Sequence, residues 1–443
     1  MKIGIMGTGY VGLVHGAVLS SYGFQVTCMD VDVDKIKHLQ DGNSPIYEPG
    51  LEELLRHSLR DGLLTFTTSP QQVIQESDVI FIAVGTPAKE DGGADLSYVR
   101  DVIQQIATYI NGYKVIVCKS TMPVGTSRRI ATYLDTLLTD RRSDFRADVV
   151  SNPEFLRQGK AVTDALSPSR VIIGTESSQA KETLQTIYQV HIQHHVPFLY
   201  TNLETAEMIK YASNSFLAVK ISFINELALV SEKVGANIQD IATGMGLDER
   251  ISPHFLQAGP GYGGSCFPKD TQAMLDIGEK NDEDLYIIRA AIAANEKQMK
   301  SMINKISEAL SVNGTLQGKT IAIWGLSFKP ETDDIRYAPS FEIIKGLLQQ
   351  GAMVNVFCPQ GMEQAKRMWS DFNNRIHYCQ SEAASAQDAD AIVLMTEWHQ
   401  FRAHNWPMIA KTMRGNAFFD LRNMFTTDVQ VREQFQYYSV GSS

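Results

Sequence analysis

The opening thirty residues, MKIGIMGTGYVGLVHGAVLSSYGFQVTCMD, leave few folds open to the chain. An apolar strand (Lys2 to Met6) runs into a glycine turn, an amphipathic stretch (Val11 to Tyr22) and a second strand (Phe24 to Met29) that ends at Asp30, which is a βαβ unit. Gly7, Gly9 and Gly12 stand as GxGxxG at the junction of strand and helix. The first glycine permits the tight turn, the second lets the backbone approach a pyrophosphate, and the third lets helix and strand pack closely. The phosphates then lie at the positive end of a helix. Asp30 follows at the customary distance of about 20 residues and can accept hydrogen bonds from both ribose hydroxyls while repelling a 2′-phosphate. No arginine lies within several residues of Asp30, which favours NAD over NADP, although Lys35 also falls near the ribose. A GxGxxG alone marks a tight turn in any α/β protein; strand, helix, second strand and acid together point to a dinucleotide.

The rest of the chain repeats and extends this design. Buried-strand patterns at Val79 to Val84, Lys114 to Cys118, Asp148 to Ser151 and Arg170 to Gly174 alternate with helical patterns such as Leu96 to Ile110 and Ser127 to Leu138. This predicts a mostly parallel sheet covered on both faces. From Thr201 more than thirty residues pass without proline or internal glycine, predicting one long helix of roughly 50 Å. Helical patterns continue through Asp284 to Leu310, and KTIAIWGLSFKP (Lys319 to Pro330) then restarts a strand and glycine loop, with later strands at Met353 to Cys358, Ala391 to Met395 and Ala417 to Asp420. The expected fold is α/β: two Rossmann-like doubly wound domains joined by a long central helix, with domains at 1–200, 201–310 and 311–443.

Composition excludes several classes. With 443 residues, 44% hydrophobic and 20% charged, the chain is long enough for several cores and is neither disordered nor membrane-embedded. A net charge of -10 argues against nonspecific binding to nucleic acid or an anionic membrane surface. The amino terminus lacks the pattern of a signal peptide, and no apolar run approaches the length of a spanning helix, so a cytoplasmic location is expected. The five cysteines show no CxxC or Cys/His metal spacing and read as reduced thiols, and His191, His194 and His195 lack supporting ligands, so no metal is expected.

Cys28, Cys118 and Cys358 lie in apolar strand patterns and read as core. Cys266 is different, standing among four glycines in GPGYGGSCFPKD (Gly259 to Asp270) with Lys269 and Asp270 just beyond. A nucleophilic thiol beside an NAD site suggests capture of an aldehyde as a thiohemiacetal, oxidation to a thioester and hydrolysis to an acid. A flexible glycine turn with an incidental thiol is the bland alternative. Lys210 and Asn214 are four apart on the long helix and share a face, as a functional pair or a solvated one. Glu154 in SNPEFLRQGKA and Thr121 in KSTMPVGT follow strands at the ligand edge, with helix stabilisation as the competing reading for both. A plain loop and a cofactor contact are equally open at Thr86 in the VGTP turn.

Taken in order, GTGYVG, KSTMPVGT, SNPEFLRQGKA, ETAEMIKYASNSFLAVKISFINE, GPGYGGSCFPKD and SFKPETDDIR resemble the UDP-glucose/GDP-mannose dehydrogenase family over nearly the whole chain. GYGGSCFPKD is most similar to the UDP-glucose branch, because GDP-mannose members typically read SCLPKD and the N-acetylhexosamine branch often has histidine before the cysteine. The resemblance implies a four-electron oxidation of the sugar C6 alcohol to a carboxylate, with two NAD and one water consumed. It implies Cys266 as nucleophile, Lys210 as stabiliser of the alkoxide or oxyanion, Asn214, Asp270 and Thr121 as the group positioning water and accepting the first proton, and Glu154 as an aid to thioester hydrolysis. Many members carry a second glutamate where this chain has Gln158.

The cofactor positions so implied are Gly7, Gly9, Tyr10, Val11, Gly12, Asp30, Lys35, Thr86, Thr121, Lys269 and Arg336. The substrate positions are Glu154, Phe155, Leu156, Lys210, Asn214, Arg250, Phe255 to Gly259, Gly263 and Lys329, with Arg422 a weaker local match. The resemblance further implies UDP-glucose as substrate and a homodimer built on the long helix, with Arg250 reaching the partner's site. The same chemistry on GDP-mannose or a UDP-N-acetylhexosamine is the alternative. Two-electron dehydrogenases of the 3-hydroxyacid or 6-phosphogluconate type share the first lobe but need no cysteine, and a non-catalytic nucleotide-binding scaffold needs neither.

Overall fold

The computed structural model describes residues 1–89, 92–369 and 374–442. By its internal contacts the chain divides into two compact units, Met1–Ser213 with Glu279–Asn281, and Asn214–Gly278 with Asp282–Ser443.

Among its described residues the first unit holds eight strands: β1 (Lys2–Met6), β2 (Gln25–Met29), β3 (Leu64–Thr67), β4 (Val79–Ile82), β5 (Lys114–Cys118), β6 (Ala147–Ser151), β7 (Val171–Gly174) and β8 (Phe198–Thr201). They form one sheet in the order β3-β2-β1-β4-β5-β6-β7-β8, parallel throughout except where β7 meets β6 antiparallel at Ser151 and Gly174. The continuous apolar runs are explained by period-two sorting onto two covered faces. Ile3, Ile5, Val79, Phe81, Val115 and Val117 enter one core, whereas Met6, Ile80, Ile82, Ile116 and Cys118 enter the other.

The helix after β1, Tyr10–Ser21, departs from the amphipathic expectation, since Gly12 through Ser20 are all buried. Its inner side lies on the sheet and its outer side is covered by the helices Leu51–Arg60 and Ala161–Leu166, so no face is left to water. The sequence reading also passed over β3 and β8, which are only four residues long and carry exposed or half-buried side chains.

The long helix is continuous over 32 residues, Leu203–Val234, and the division between the units falls inside it. The second unit adds the helices Ile238–Gly246, Phe267–Glu279 and Tyr286–Leu310, then β9 (Thr320–Trp324), β10 (Met353–Phe357), β11 (Ile376–Tyr378), β12 (Ala391–Leu394), β13 (Ala417–Asp420) and β14 (Gln436–Tyr438). These strands are all parallel, in the order β11-β10-β9-β12-β13-β14. The first six strands of the first sheet have the same order, so both sheets are Rossmann-like and doubly wound.

The five cysteines are free thiols, and Cys28, Cys118, Cys358 and Cys379 are buried. Burial pushes the Cys28 and Cys118 thiols up to about 12. Among the described residues, no helix is long and apolar enough to cross a membrane.

Candidate active site

The glycine turn after β1 has the form a pyrophosphate requires. A side-chain carbon on Gly9 would meet nothing within 4 Å, whereas one on Gly12 would strike the Gly7 carbonyl, so the first position is open to a ligand and the second is a packing contact. Gly9 brings no capping side chain to the amino end of the helix Tyr10–Ser21, so an anion can approach the positive end of that helix. Asp30 stands just beyond β2. It accepts from the Thr8 hydroxyl at 2.7 Å, the Thr8 amide at 3.0 Å, the Lys35 ammonium at 3.0 Å and the Asp32 amide at 3.2 Å. Burial opposes its charge, but these bonds outweigh burial and hold the carboxyl below its ordinary value. Lys35 is thus paired with the Asp30 carboxylate itself. Tyr10 ties the turn to the Tyr47 carbonyl at 3.2 Å, and Val11 packs on the core beside it.

Two loops at the carboxyl edge of this sheet are joined when the Thr86 hydroxyl donates to the Thr121 carbonyl at 2.8 Å. Thr121 does not cap the following helix, Thr126–Asp140. Glu207 of the long helix does so instead, its carboxylate accepting from the Gly125 amide (2.6 Å) and from the Ser127 amide and hydroxyl (2.7 Å each). Burial pushes the Glu207 carboxyl up, against the hydrogen bonds that favour its charge.

The loop after β6 carries Glu154. One of its oxygens accepts from the Leu156 amide at 2.6 Å and the other from Lys210 Nζ at 2.9 Å. Both charged side chains are buried, so Lys210 is not a solvated lysine and Glu154 is not a first-turn helix glutamate. Antiparallel pairing of β7 runs Arg170 back alongside Phe155, where its guanidinium lies 3.8 Å from the ring centroid and the Lys210 ammonium lies 5.4 Å from it. Glu48 fixes the far end of the loop through the amides of Gly159 and Ala161, each at 2.7 Å.

In the second unit, Cys266 is the residue at which the helix Phe267–Glu279 begins, its carbonyl accepting from the Asp270 amide at 2.8 Å. The sulfur therefore lies near the positive end of the helix, where negative charge is favoured. Ser265 Oγ is 3.8 Å from it. Asp270, one turn on, is buried, and its two oxygens are engaged separately by Asn214 Nδ2 at 2.6 Å and by Lys269 Nζ at 2.7 Å. Asn214 is buried as well, which disposes of the solvated-pair reading for it.

The glycines before the thiol allow close approach, since a Cβ on Gly263 would collide with the Tyr337 carbonyl. Buried amides clamp the loop: Asn225 accepts from the Gly259 amide (2.9 Å), Gln298 donates to the Gly259 carbonyl (2.7 Å), and Asn295 bonds both the amide and the carbonyl of Tyr262. The Phe255 ring packs 6.1 Å from Phe267.

Arg336 is held by Asp334 in a two-bond pair and offers its carbonyl to the Gly264 amide at 3.0 Å. Arg422 donates to the carbonyls of Met395 and Phe328 and lies against Gly259. Lys329 lies 5.6 Å from the Phe328 ring centroid. Gly259, Gly263, Arg336 and Arg422 are thereby brought together. Arg250 is apart from them on an exposed turn, paired with Asp248 at 2.6 Å.

Successive parts of the chain match three models of one family: the NAD binding domain of the UDP-glucose/GDP-mannose dehydrogenases over residues 1–192, their central domain over 204–297 and their UDP binding domain over 322–427. The chain belongs to the UDP-glucose/GDP-mannose dehydrogenase family. It is 41% identical over its whole length to the UDP-glucose 6-dehydrogenase of Rhizobium meliloti, covering 99% of that protein, and 43% identical to that of Rickettsia prowazekii, with both chains fully covered. The solved UDP-glucose dehydrogenase of Pyrobaculum islandicum superposes with a TM-score of 0.90 at 33% identity, over 100% of this chain and 98% of that one.

As a dehydrogenase of this family the chain uses NAD, and the open Gly9 at the head of the helix Tyr10–Ser21 and the charged Asp30 fit that cofactor. The positioning residues that sequence reasoning passed over here are Glu48, Arg170, Glu207, Asn225, Asn295 and Gln298. Each acts on a distant stretch of chain, so its neighbours in sequence carry no sign of its role.

Proposed function

We propose that the protein oxidises UDP-glucose to UDP-glucuronate with two NAD and one water, through a covalent intermediate on Cys266. The observation that carries this reading is the thiol at the head of the helix Phe267–Glu279 with an anchored Asp270 one turn behind it. When bound, NAD accepts two electrons from the sugar carbon at each of two oxidations. Lys210, a buried cation, stabilises the oxyanion at C6 in both. Asp270, fixed by Asn214 and Lys269, takes the alcohol proton directly or through a water, and Thr121 helps to position that water. Cys266 adds to the aldehyde carbon as its proton passes to the carbonyl oxygen, giving a thiohemiacetal. The second oxidation makes this a thioester, and water activated by Glu154 cleaves the C–S bond to give the carboxylate and the free thiol.

Lys269 and Arg336 serve the cofactor. Phe155, Leu156, Arg250, Phe255 to Gly259, Gly263, Lys329 and Arg422 serve the sugar nucleotide, and the cations among them suit a diphosphate. The test is a panel of UDP-glucose, GDP-mannose and UDP-N-acetylmannosamine. UDP-glucose is expected to give the highest kcat/KM, and a higher value for another sugar would transfer the reading to it.

The long helix supports a homodimer. Phe216, Phe223 and Val230 recur every seven residues and are 64%, 47% and 54% exposed, an apolar stripe suited to a second copy of the chain. Sedimentation is expected to give a dimer that Phe223→Asp splits into monomers. The free thiols and the absence of a spanning helix among the described residues support a cytoplasmic location.

A further inference from the structure

Lys119, at the end of β5, has no part in the chemistry above, yet it is a cation only 7% exposed. Its ammonium donates to Asn152 Oδ1 at 2.9 Å and to the Tyr188 hydroxyl at 3.4 Å. Tyr188 donates to the same Asn152 oxygen at 2.6 Å, and the Asn152 amide is spent on the Ile172 carbonyl at 2.7 Å. Asn152 is two residues from Glu154, so the cluster braces from behind the turn whose carboxylate holds Lys210 at 2.9 Å. Among the described residues Lys119 forms no ion pair of its own.

A buried ammonium without a carboxylate tends to give up its proton. Burial draws Lys119 down to about 8, with Glu154 favouring its charge and Lys210 opposing it. The groups facing it from the other elements are neutral at that pH. His15 on the helix Tyr10–Ser21 is pushed below its ordinary value by burial, then by Lys119 and His191. His191 on the helix Gln189–Gln193 is pushed down by burial, then by Lys119 and His194. Burial raises Tyr188, with Tyr22 adding to the effect, and Tyr22 itself is pushed up by burial to about 12. Two ammonium groups therefore act on the Glu154 carboxylate, with the Arg170 guanidinium on the Phe155 ring beyond Lys210, and burial draws Lys119 down to about 8.

We propose that Lys119 is a positioning residue of the reaction, bracing the Asn152–Glu154 turn and setting the charge against which Lys210 must hold its own proton. The inference rests on Lys210 being the group that meets the substrate oxygen. While Lys119 is charged, like-charge repulsion makes the Lys210 ammonium more acidic and so a stronger hydrogen-bond donor to the oxyanion, without removing its charge. Once Lys119 is neutral or replaced, the Glu154 carboxylate holds the Lys210 proton more tightly and the ammonium gives less of it to the substrate oxygen.

The test compares Lys119→Met, which removes the charge, with Lys119→Arg, which keeps it. The readouts are kcat and KM from pH 6 to 10 and, with no substrate present, NMR titration of the lysine side chains. Lys119→Met is expected to lower kcat at pH 7 by roughly tenfold with both KM values within about twofold, and to move the midpoint of the Lys210 resonance up by about one pH unit or more. Lys119→Arg is expected to restore most of kcat.

An equal loss at every pH with the Lys210 midpoint unmoved would reduce Lys119 to a structural residue and overturn the proposal, as would an unchanged kcat. Should Lys119→Met not fold, Lys119→Gln, which can still donate to Asn152, takes its place with the same two outcomes. If the wild-type protein does not turn over UDP-glucose, the functional reading fails, while the NMR titration still decides whether the two lysines are coupled.

Discussion

The two sheets share one strand order and even one detail of the first turn. Gly7 donates to the Met29 carbonyl and Gly325 to the Phe357 carbonyl, each at 2.8 Å. Beyond that point they diverge. In the first, three residues separate β1 from its helix and an acid, Asp30, follows β2. In the second, fourteen residues separate β9 from the helix Pro339–Gln349, and the residue after β10 is the buried Cys358. Asp30 holds four donors. Cys358 lies 3.8 Å from the Ser327 hydroxyl and 3.4 Å from the Gly361 amide, offering a ribose nothing. A shared topology therefore leaves the ligand undecided, and the loops at the carboxyl ends of the strands decide it.

The largest expected effect lies outside both sheets. Cys266→Ser should lower UDP-glucuronate formation by more than about a thousandfold while NAD binding, followed by fluorescence, stays measurable. Within the comparison, Cys358→Asp should fail to create a dinucleotide site and should cost roughly 3 kcal/mol or more in urea unfolding, because the buried charge lacks the donors around Asp30. A gain of NAD binding in that lobe would break the comparison.

The first lobe also carries a pH signature. Lys119 loses its proton near 8 when folded but near its ordinary 10.5 when unfolded, so between those values the unfolded chain binds the extra proton and folding grows more favourable as pH rises. Below about 8 both states bind it and the cost of burial is fully present. The stability difference between wild type and Lys119→Met should shift by roughly 2 to 3 kcal/mol in favour of wild type from pH 8 to 10.

Asp30→Asn should weaken NAD binding by roughly tenfold to a hundredfold and leave the KM for sugar nucleotide nearly unchanged. Lys329→Ala should do the reverse on a smaller scale, raising the KM for UDP-glucose about tenfold with NAD affinity intact.

Much of this contrast was legible in the sequence because its signals are local. GxGxxG with Asp30, the proline-free helix and the glycine-rich thiol loop each announce themselves within a few tens of residues. What stayed hidden depends on tertiary contact. The helix Tyr10–Ser21 looks amphipathic until the helices that cover it are in place. Glu207 looks like any polar residue on a helix until its carboxylate meets the amides of Gly125 and Ser127, 80 residues away from the latter. Arg170 reaches Phe155 only because β7 runs against its neighbour.

The central claim is that one chain carries the alcohol to the acid without releasing an aldehyde. The most direct measurement is the amount of NADH formed per UDP-glucose consumed, with the sugar limiting and NAD in excess. Two NADH per sugar, with UDP-glucuronate as the product, is the predicted result. One NADH per sugar, with a free aldehyde or ketone accumulating, would contradict it.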